Sequence, residues 1–501
     1  MQGRSQGETA AGAFTCPHAV TSIGLIARGT AQNVLSRGCF FFFGYLGSII
    51  LARGLGPVDY GVYGLVMSVL LWVEQTSKFT IPPAAAILIP REEHNSTGLE
   101  HTALFLNCVL FITLFVLLWF AAPLLADLFD LHDGVNLFRI AALDLPFFGM
   151  YALYYRVLQG HRHFLSISVA ELLYSVTKLA GIAFLLALWL SIPGALIVNV
   201  LASLGALLFA LSRISIKLAP PDWNFIRPLT HFALPLGLYM LGLQTIGSLD
   251  LWFLKILNPS KEASTIGIYV AARNVALAPG VVLMVISDVL LPALSRALAQ
   301  NDISLSRHYV QSGVRFLCIV VLPIVLLFML TADEMMVLLY STGFGEGGGL
   351  YLKVLIFYAM SLPFIDLFAS ALNAHGKPYR SGATLFLLIA VVLPFHVLLI
   401  LSFGPVGAAY ASALTGFLGA VTLGVIVYRR FGSLIRFRTF LNAMLAILLT
   451  AGIASQLTVT GPLLAISCLG YLAIYVFGLV LLGEITGEDL EPFAFWRSRL
   501  T

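Results

Sequence analysis

The chain alternates long runs of apolar residues with short segments that contain charged residues, glycine or proline. A helix needs about 20 mostly apolar residues to cross the hydrocarbon core of a bilayer, and most of the runs reach that length. The pattern therefore predicts an all-α polytopic membrane protein with about fourteen transmembrane helices. The predicted spans are 31–52, 60–82, 101–124, 138–158, 165–189, 191–212, 228–253, 266–291, 311–332, 351–373, 380–402, 405–428, 438–457 and 462–483.

Two pairs of neighbouring spans are separated by a turn signal alone. Ser191, Pro193 and Gly194 lie between the fifth and sixth spans, and Gly404 and Pro405 lie between the eleventh and twelfth. Without these breaks each pair would form one helix of roughly 48 residues, about twice the length that a bilayer needs. Because proline and glycine interrupt helices, each pair is predicted to be a helical hairpin.

Composition supports a protein that lies almost entirely within a membrane. Of the 501 residues, 59% are hydrophobic and 10% are charged, whereas a soluble domain carries about 25% charged residues. The net charge of +4 comes from cations that are spread along the chain, which argues against nucleic-acid binding. The five cysteines lie far apart without metal-ligand spacing, and no catalytic constellation is evident. We therefore expect no enzyme activity, no metal site and no cofactor.

Charged residues between the spans predict the orientation of the chain. With a cytoplasmic N-terminus, the outer segments carry only Arg53, Lys255, Lys261 and Lys353, and the inner segments carry most of the 28 lysines and arginines. This distribution follows the positive-inside rule, and an error of one span would reverse it partway along the chain. The sequence thus predicts a multi-pass protein of the bacterial inner membrane whose two termini are cytoplasmic.

Short motifs recur in the same order about 210 residues apart, which indicates an internal repeat. Gly61–Tyr63 at the start of the second span matches Gly267–Tyr269 at the start of the eighth, and Pro193–Ala195 in the sixth matches Val406–Ala408 in the twelfth. Since this separation covers an even number of spans, both halves have the same topology, and a site at their interface is expected. The predicted parts are a cytoplasmic N-terminal tail (1–30), a first six-helix lobe (31–215), a cytoplasmic linker (216–227), a second six-helix lobe (228–430), two extra helices, 13 and 14 (431–483), and a cytoplasmic C-terminal tail (484–501).

Ionisable residues inside the spans are candidate functional groups, because a charge in a bilayer is costly. Glu74 and Lys78 lie one helical turn apart in the second span. Glu171 and Lys178 lie seven residues apart in the fifth span, on one helical face. Two interpretations stay open for each pair: a neutralising ion pair, or a part of a transport pathway.

Five further ionisable residues within the spans are candidates. Asp144, Asp250 and Asp288 lie near span ends, where solvated side chains are an alternative to a functional role. Arg37 and Arg273 lie on the first and eighth spans, one in each predicted lobe, and neither has an acid one turn away. A guanidinium that faces a central cavity is suited to bidentate phosphate binding. We expect at least one of the two arginines to face such a cavity.

Four segments carry a resemblance to a known family. They are the run Ile49–Tyr63, residues 267–272, residues 373–378 and residues 404–411. They resemble, in order, the junction of helices 1 and 2, its counterpart in the second lobe, and the ends of helices 10 and 12 in polysaccharide flippases of the O-antigen (Wzx-type) family of the MOP superfamily. The resemblance covers most of the chain, roughly residues 30–430.

This resemblance implies a flippase that works by alternating access. Its substrate would be an oligosaccharide linked to undecaprenyl diphosphate, moved from the cytoplasmic to the periplasmic leaflet for lipopolysaccharide, capsule or exopolysaccharide synthesis. Its partners would be this substrate, the bilayer and other polysaccharide assembly proteins, and a cationic cavity would hold the diphosphate. The candidate cavity residues are Arg37, Arg273, Lys78, Glu74 and Lys178, and the candidate residues for a coupling ion are Asp288 and Glu74.

Two other functions stay open. A multidrug or metabolite antiporter of the same superfamily fits the two predicted lobes, but the extra helices 13 and 14 argue against it. A polysaccharide polymerase or ligase would need a large outer loop with acidic residues and arginine, and the longest candidate loop, 333–350, is rich in glycine. The flippase is therefore the preferred interpretation.

Overall fold

Helices account for nearly all of the computed structural model, which describes residues 17–91, 96–188, 191–214, 220–258, 263–300, 302–374, 378–432, 437–454 and 464–484. No strand is present in these ranges. Over its described residues every predicted span corresponds to helix, so the prediction of an all-α polytopic fold with about fourteen spans is confirmed. The helices are α1 (Pro17–Lys78), α2 (Ile81–Leu88), α3 (Ser96–Leu128), α4 (Gly134–Ala142), α5 (Asp144–Gly160), α6 (Phe164–Leu188), α7 (Ile192–Arg213), α8 (Trp223–Leu257), α9 (Ala263–Ala299), α10 (Ile303–Tyr340), α11 (Thr342–Gly345), α12 (Gly348–Ala374), α13 (Pro378–Phe403), α14 (Pro405–Phe431), α15 (Phe437–Ala454) and α16 (Leu464–Leu481), with a 3₁₀ turn at Ile89–Arg91.

The helix lengths fit a multi-pass membrane protein. Within the described part of the chain, nine segments are long and apolar enough to cross a membrane. Helix α1 alone has 62 residues, about 93 Å of helix, which is roughly three times the thickness of the hydrocarbon core. Its backbone leaves the helical conformation at Gly56, where φ is 75°. The residues on either side of Gly56 therefore form two crossings, as the first two predicted spans require.

The two predicted helical hairpins are confirmed. Gly404 has φ 61° between α13 and α14, a conformation that glycine adopts without steric cost. Ser191 caps α7, because its hydroxyl oxygen accepts a hydrogen bond from the backbone N–H of Gly194 at 3.3 Å. Elsewhere the structure divides two predicted spans into shorter helices. The second span continues beyond Lys78 as α2, and the fourth span consists of α4 and α5, which meet at Leu143.

Helices of the first half pack in the same order as helices of the second half. In the first half α1 packs on α6, α6 packs on α7, and α5 packs on α7. In the second half α8 packs on α13, α13 packs on α14, and α12 packs on α14. This is the arrangement that the internal repeat requires, and the boundaries of the two lobes stay a prediction.

The two halves meet along α1, α8 and α9. A Cβ atom at Gly267 would lie 1.8 Å from the backbone oxygen of Pro57, and Gly64 lies directly against the side chain of Val270. These approaches bring α1 and α9 together so closely that only glycine fits at position 267 without a shift of the backbone. The second arm of α1 also contacts α8, where the indole N–H of Trp72 donates to Thr245 Oγ1 at 3.0 Å.

The last two helices, α15 and α16, pack on each other and on α10. The hydroxyl of Tyr475 donates to the backbone oxygen of Ile319 at 3.0 Å. Beyond the end of α16, Glu484 accepts from Asn442 Nδ2 at 3.1 Å and lies 3.3 Å from the guanidinium of Arg315. These polar contacts with Glu484 join α10, α15 and the segment after α16 at one end of the bundle.

The ionisation of Glu484 is expected to control how firmly α15 and α16 are held. Burial alone raises the pKa of Glu484, but hydrogen bonds from Thr439 and Asn442 and the charge of Arg315 outweigh burial, so its pKa lies below the usual value. A carboxyl with a depressed pKa stabilises the fold above its unfolded-state pKa, and this contribution is lost as the pH falls through the folded-state pKa. We predict that Glu484→Gln lowers the amide-exchange protection factors of α15 and α16 at neutral pH. We also predict that the wild type loses this protection as the pH falls through the depressed pKa of Glu484.

The matched control for this prediction is Glu334→Gln, which removes a carboxylate nearer the opposite end of α10. It should leave the protection factors of α15 and α16 unchanged. Equal protection in the wild type and in Glu484→Gln at neutral pH would contradict the prediction.

Candidate functional site

A group of polar side chains, most of them buried, lies inside the first half and is contributed by α1, α5, α6 and α7. Glu74 and Asp144 are almost completely buried, with exposed fractions of 1% and 0%. Asn199 donates its amide to Asp144 Oδ2 at 2.6 Å and accepts from the ammonium of Lys178 at 2.6 Å. The carboxyl groups of Glu74 and Asp144 lie close enough to interact electrostatically. These four residues, Glu74, Asp144, Lys178 and Asn199, are the first-half charge cluster.

The break between α4 and α5 places Asp144 in this cluster. Asp144 is the first residue of α5 and follows the bend at Leu143, so its carboxylate lies at a helix N-terminus, where the helix dipole favours negative charge. The alternative that Asp144 and Asp250 are solvated near span ends is wrong, because both are buried. The end of an apolar run does not give the depth of a residue, since α4 continues the span on the other side of the bend.

Charge balance limits what the first-half charge cluster can do. Atoms Oε1 of Glu74 and Oδ1 of Asp144 are buried without a hydrogen-bond partner. With both carboxyls ionised, the charge of Lys178 offsets one negative charge, and the other is left to Lys78, whose effect on Glu74 is weaker than that of Lys178; a poorly compensated buried charge is costly. One proton shared between the two carboxyls makes the cluster neutral. The cluster is therefore suited to binding and releasing one proton.

The predicted pairing of residues along a single helix describes only part of these contacts. The positive charge of Lys78 attracts the carboxyl group of Glu74, and its ammonium lies 5.8 Å from the ring centroid of Phe148. The charge of Lys178, however, also attracts Glu74, and its ammonium donates a hydrogen bond to Asn199 on α7. Glu171 accepts a hydrogen bond from the hydroxyl of Tyr155 at 2.8 Å. The neutralising interpretation therefore fits Glu74, with one of its cationic partners on another helix.

The second half contains a corresponding group on α8, α9 and α14. Asp250 Oδ2 accepts from the hydroxyl of Tyr269 at 2.8 Å and from the hydroxyl of Ser412 at 3.1 Å. The Nε atom of Arg273 lies 3.8 Å from the same oxygen. These four residues, Asp250, Tyr269, Arg273 and Ser412, are the second-half charge cluster. The structure thus brings the predicted cavity residue Arg273 next to an acid from a different helix.

The two clusters share one matching position in the internal repeat. Asn199 lies five residues after Gly194, and Ser412 lies five residues after Gly407. Each donates a hydrogen bond to a buried aspartate of its own half. The charges differ, because the first cluster has two acids and one lysine, whereas the second has one acid and one arginine. Anion binding is therefore better supported in the second half, and proton binding in the first.

Contacts between the halves lie at both ends of the bundle. At one end Thr80 packs closely against Gly237, and Thr102 Oγ1 donates to the backbone oxygen of Asp222 at 3.2 Å; the other end is near the turn at Gly56. The amide of Asn274 donates to the hydroxyl of Tyr60 at 2.9 Å. The guanidinium of Arg53 donates to the backbone oxygen of Leu339 at 2.7 Å, close to the end of α10. In the predicted orientation this turn faces the periplasm. The halves are therefore in contact on the predicted periplasmic side.

Two predicted residues cannot be placed, and two functional candidates were not predicted. The side chains of Arg37 on α1 and Asp288 on α9 lie outside the described residues. Asn199 and Ser412 were missed because only ionisable residues were considered as candidates. A search for polar residues at equal distances after the repeated Gly194 and Gly407 motifs would have identified both.

A comparison with protein families decides where the chain belongs. A family model described as polysaccharide biosynthesis protein matches residues 26–298, which is more than half of the chain. The chain belongs to this family. The resemblance to flippases of the MOP superfamily is thereby confirmed.

A curated protein is similar in sequence to part of this chain. A curated protein from Rhizobium tropici, named probable lipid II flippase MurJ, is 27% identical over 175 residues, which are 34% of this chain. The match spans about a third of that relative, 33% of its length.

Solved structures of two transporters share the fold of this family member. The inward closed conformation of the lipid II flippase MurJ has a TM-score of 0.75 at 15% identity and covers 93% of this chain and 99% of that structure. The inward-facing conformation of a multidrug resistance MATE family transporter of the MOP superfamily has a TM-score of 0.70 at 15% identity and covers 79% and 95%. At such low identity these likenesses show the fold alone.

Removal of the lysine from the first-half charge cluster is expected to destabilise the protein. Lys178→Met leaves Glu74 and Asp144 without their contact to this ammonium, so we predict a loss of up to about 3 kcal/mol in the free energy of unfolding. The double variant Glu74→Gln, Lys178→Met removes one charge of each sign and should recover part of the loss. Thermal unfolding of the purified protein in detergent measures both.

Lys353→Met is the matched control for this prediction. Lys353 pairs with the exposed Asp333 at 2.6 Å, and an exposed pair contributes about 1 kcal/mol or less. The proposed charge balance is wrong if Lys178→Met unfolds at the same temperature as the wild type, or if the double variant is less stable than Lys178→Met.

Proposed function

We propose that the protein is a flippase that moves an oligosaccharide linked to undecaprenyl diphosphate from the cytoplasmic to the periplasmic leaflet of the bacterial inner membrane. The observation that carries this proposal is the presence of a charge cluster inside each of two matched helix bundles in a member of the polysaccharide biosynthesis family. Charges in a membrane interior commonly mark the path of a polar substrate.

The substrate itself makes such a path necessary. A sugar diphosphate head group cannot cross hydrocarbon unaided, because each unpaired polar group costs several kcal/mol, roughly 2–7. A cationic cavity between the halves would hold the diphosphate while the sugars occupy water and the lipid tail stays in the bilayer. Arg273 is the described residue best suited to bind the diphosphate, because its guanidinium offers a planar set of donors. Lys78, Lys178 and Arg37 are further candidates for the cavity wall.

The contacts between the halves support alternating access. On the predicted periplasmic side α1 contacts α9 and α10 through hydrogen bonds and close glycine packing. Entry of substrate from the cytoplasmic leaflet would require the contacts at the opposite end, between Thr80 and Gly237 and between Thr102 and Asp222, to separate. Release into the periplasmic leaflet would require the contacts on the periplasmic side to separate, with the two lobes moving as units around the site.

We also propose that the proton is the coupling ion and that Glu74 and Asp144 bind it. The first-half charge cluster becomes neutral when it binds one proton, which ties its charge to the proton gradient. The ammonium of Lys178 already occupies the position of a cation beside Asn199 Oδ1, which favours a proton over a sodium ion. Asp288 stays a second candidate for this role.

The antiporter alternative is less well supported than the flippase. The likeness to a MATE family transporter concerns the fold, whereas the family match concerns polysaccharide biosynthesis. A polymerase or ligase activity finds no support in either cluster, since both lie inside helix bundles rather than in an outer loop. The protein is thus proposed to be a transporter and not an enzyme.

Transport by the purified protein tests the proposed function. In vesicles that contain a lipid-linked oligosaccharide, we predict faster labelling of the sugar at the trans leaflet with the protein than without it. Arg273→Gln should abolish this transport while it inserts normally, because it lacks the charge that holds the diphosphate. Lys353→Gln is the control and should transport like the wild type. Equal labelling rates with and without the wild-type protein would refute the flippase proposal.

Proton coupling is tested separately with Glu74→Gln. In the wild type we expect a proton gradient across the vesicle membrane to change the transport rate severalfold, and replacement of sodium by potassium to have no effect. Glu74→Gln should transport at the same rate with and without the gradient, because the variant cluster has lost one of its two carboxyls. Glu171→Gln, on a neighbouring helix, should keep the dependence. A full response to the gradient in Glu74→Gln would exclude this residue from coupling and leave the flippase proposal intact.

A further inference from the structure

We propose that Asp250 is an internal competitor for the substrate: it neutralises Arg273 when the site is empty and releases this arginine to the diphosphate when substrate binds. The inference rests on the proposed function, because it takes Arg273 as the group that binds the diphosphate. It adds a role for Asp250, which becomes a residue that sets the affinity and the release of substrate.

The carboxylate of Asp250 is held in place without help from Arg273. It accepts from the backbone N–H of Leu251 at 2.8 Å, from the hydroxyl of Tyr269 at 2.8 Å and from the hydroxyl of Ser412 at 3.1 Å. Its side chain is 2% exposed. Three donors from α8, α9 and α14 therefore fix the carboxylate, and they remain available to it if the guanidinium moves away.

The guanidinium of Arg273 is held much more loosely. Its Nε atom lies 3.8 Å from Asp250, which is beyond hydrogen-bond distance, and this atom has no hydrogen-bond partner. One Nη atom donates to the backbone oxygen of Gly247. An arginine has five N–H donors, and the side chain of Arg273 is 17% exposed. Of the two charged partners, Arg273 is therefore the one with an unused donor, Nε, and the larger exposed fraction.

This asymmetry is what an exchange of partners requires. A buried guanidinium without a counter-ion would be costly, so Asp250 lowers the free energy of the empty site. A diphosphate carries more negative charge than one carboxylate and can accept two parallel N–H bonds, so it displaces Asp250. After translocation, Asp250 can recombine with Arg273 and help the diphosphate to leave. The competitor thus lowers affinity and speeds release.

Asp250→Asn separates this role from one in which Asp250 merely positions the arginine. If Asp250 competes, its neutralisation should decrease the Kd for diphosphate about fivefold, the effect expected for a weak ion pair, and should slow turnover in vesicles. If Asp250 only positions Arg273, the same variant should bind more weakly. The measurement is a titration of the full-length protein in detergent with inorganic pyrophosphate and, in mixed micelles, with undecaprenyl diphosphate.

Tyr269→Phe provides a second variant with the opposite expected sign. Loss of the hydroxyl leaves the charge of Asp250 with one donor fewer, so the carboxylate should hold Arg273 more strongly and the Kd for diphosphate should increase. Asp333→Asn removes an acid from the exposed pair with Lys353 and is the control, with an unchanged Kd. If Asp250→Asn does not fold, the sign of the change in Tyr269→Phe decides the question.

The outcomes distinguish this inference from the proposed function. Arg273→Gln that binds both diphosphates like the wild type would refute the role of Arg273 and with it the basis of the inference. Loss of binding in Arg273→Gln, together with equal or weaker binding in Asp250→Asn, would overturn the inference alone. An effect of Asp250→Asn on free pyrophosphate but not on the lipid diphosphate would also overturn it, because the competitor must act on the transported lipid.

Discussion

Neutralisation of charge inside an apolar helix bundle is the constraint on which this structure depends. The bilayer cannot solvate an ion, so each buried charge must find a partner on a neighbouring helix. Glu74 and Asp144 find Lys178, and Asp250 finds Arg273. Each of these contacts crosses between helices, so the charges also specify which helices pack together. The same residues therefore contribute to the assembly of the bundle and supply the groups that a polar substrate or a proton can use.

For transport, this constraint means that each charge cluster can stay close to neutral if one charged group takes the place of another. In the proposed mechanism a proton adds positive charge to the first-half charge cluster, and a diphosphate replaces a carboxylate in the second-half charge cluster. Neither exchange leaves an isolated charge in the bundle at its end point, which keeps the barrier to each low. Glycines such as Gly267 let the two halves approach closely on the predicted periplasmic side, so contacts between the halves can be made without further buried charge.

The sequence was sufficient for the fold and only partly sufficient for the candidate site. Apolar runs and turn residues predicted the crossings, a break between residues 52 and 60 and the turn at Gly404, because bilayer thickness restricts helix length. The sequence also identified Glu74, Lys178 and Arg273 as ionisable residues inside the spans. Their partners could not be predicted, because Asn199 and Asp250 lie on other helices, and the rotation of each helix is decided by packing over its whole length. Burial of Asp144 depended on the bend at Leu143, which no apolar pattern reveals.

The two clusters differ in charge, since the first contains two acids and the second contains an arginine. A transporter that couples a proton gradient to an anionic substrate needs such a difference. If both halves bound protons, the gradient would act on the protein without any link to an anionic head group. If both held arginine, the substrate would bind but no ion would drive it. An internal repeat supplies one equivalent position in each half, which has diverged to Asn199 beside two acids and to Ser412 beside an acid and an arginine. In the proposed mechanism this divergence lets one half respond to protons and the other to phosphate. Because the halves share the α1, α8 and α9 contacts, a change of charge in either half acts on the same interface.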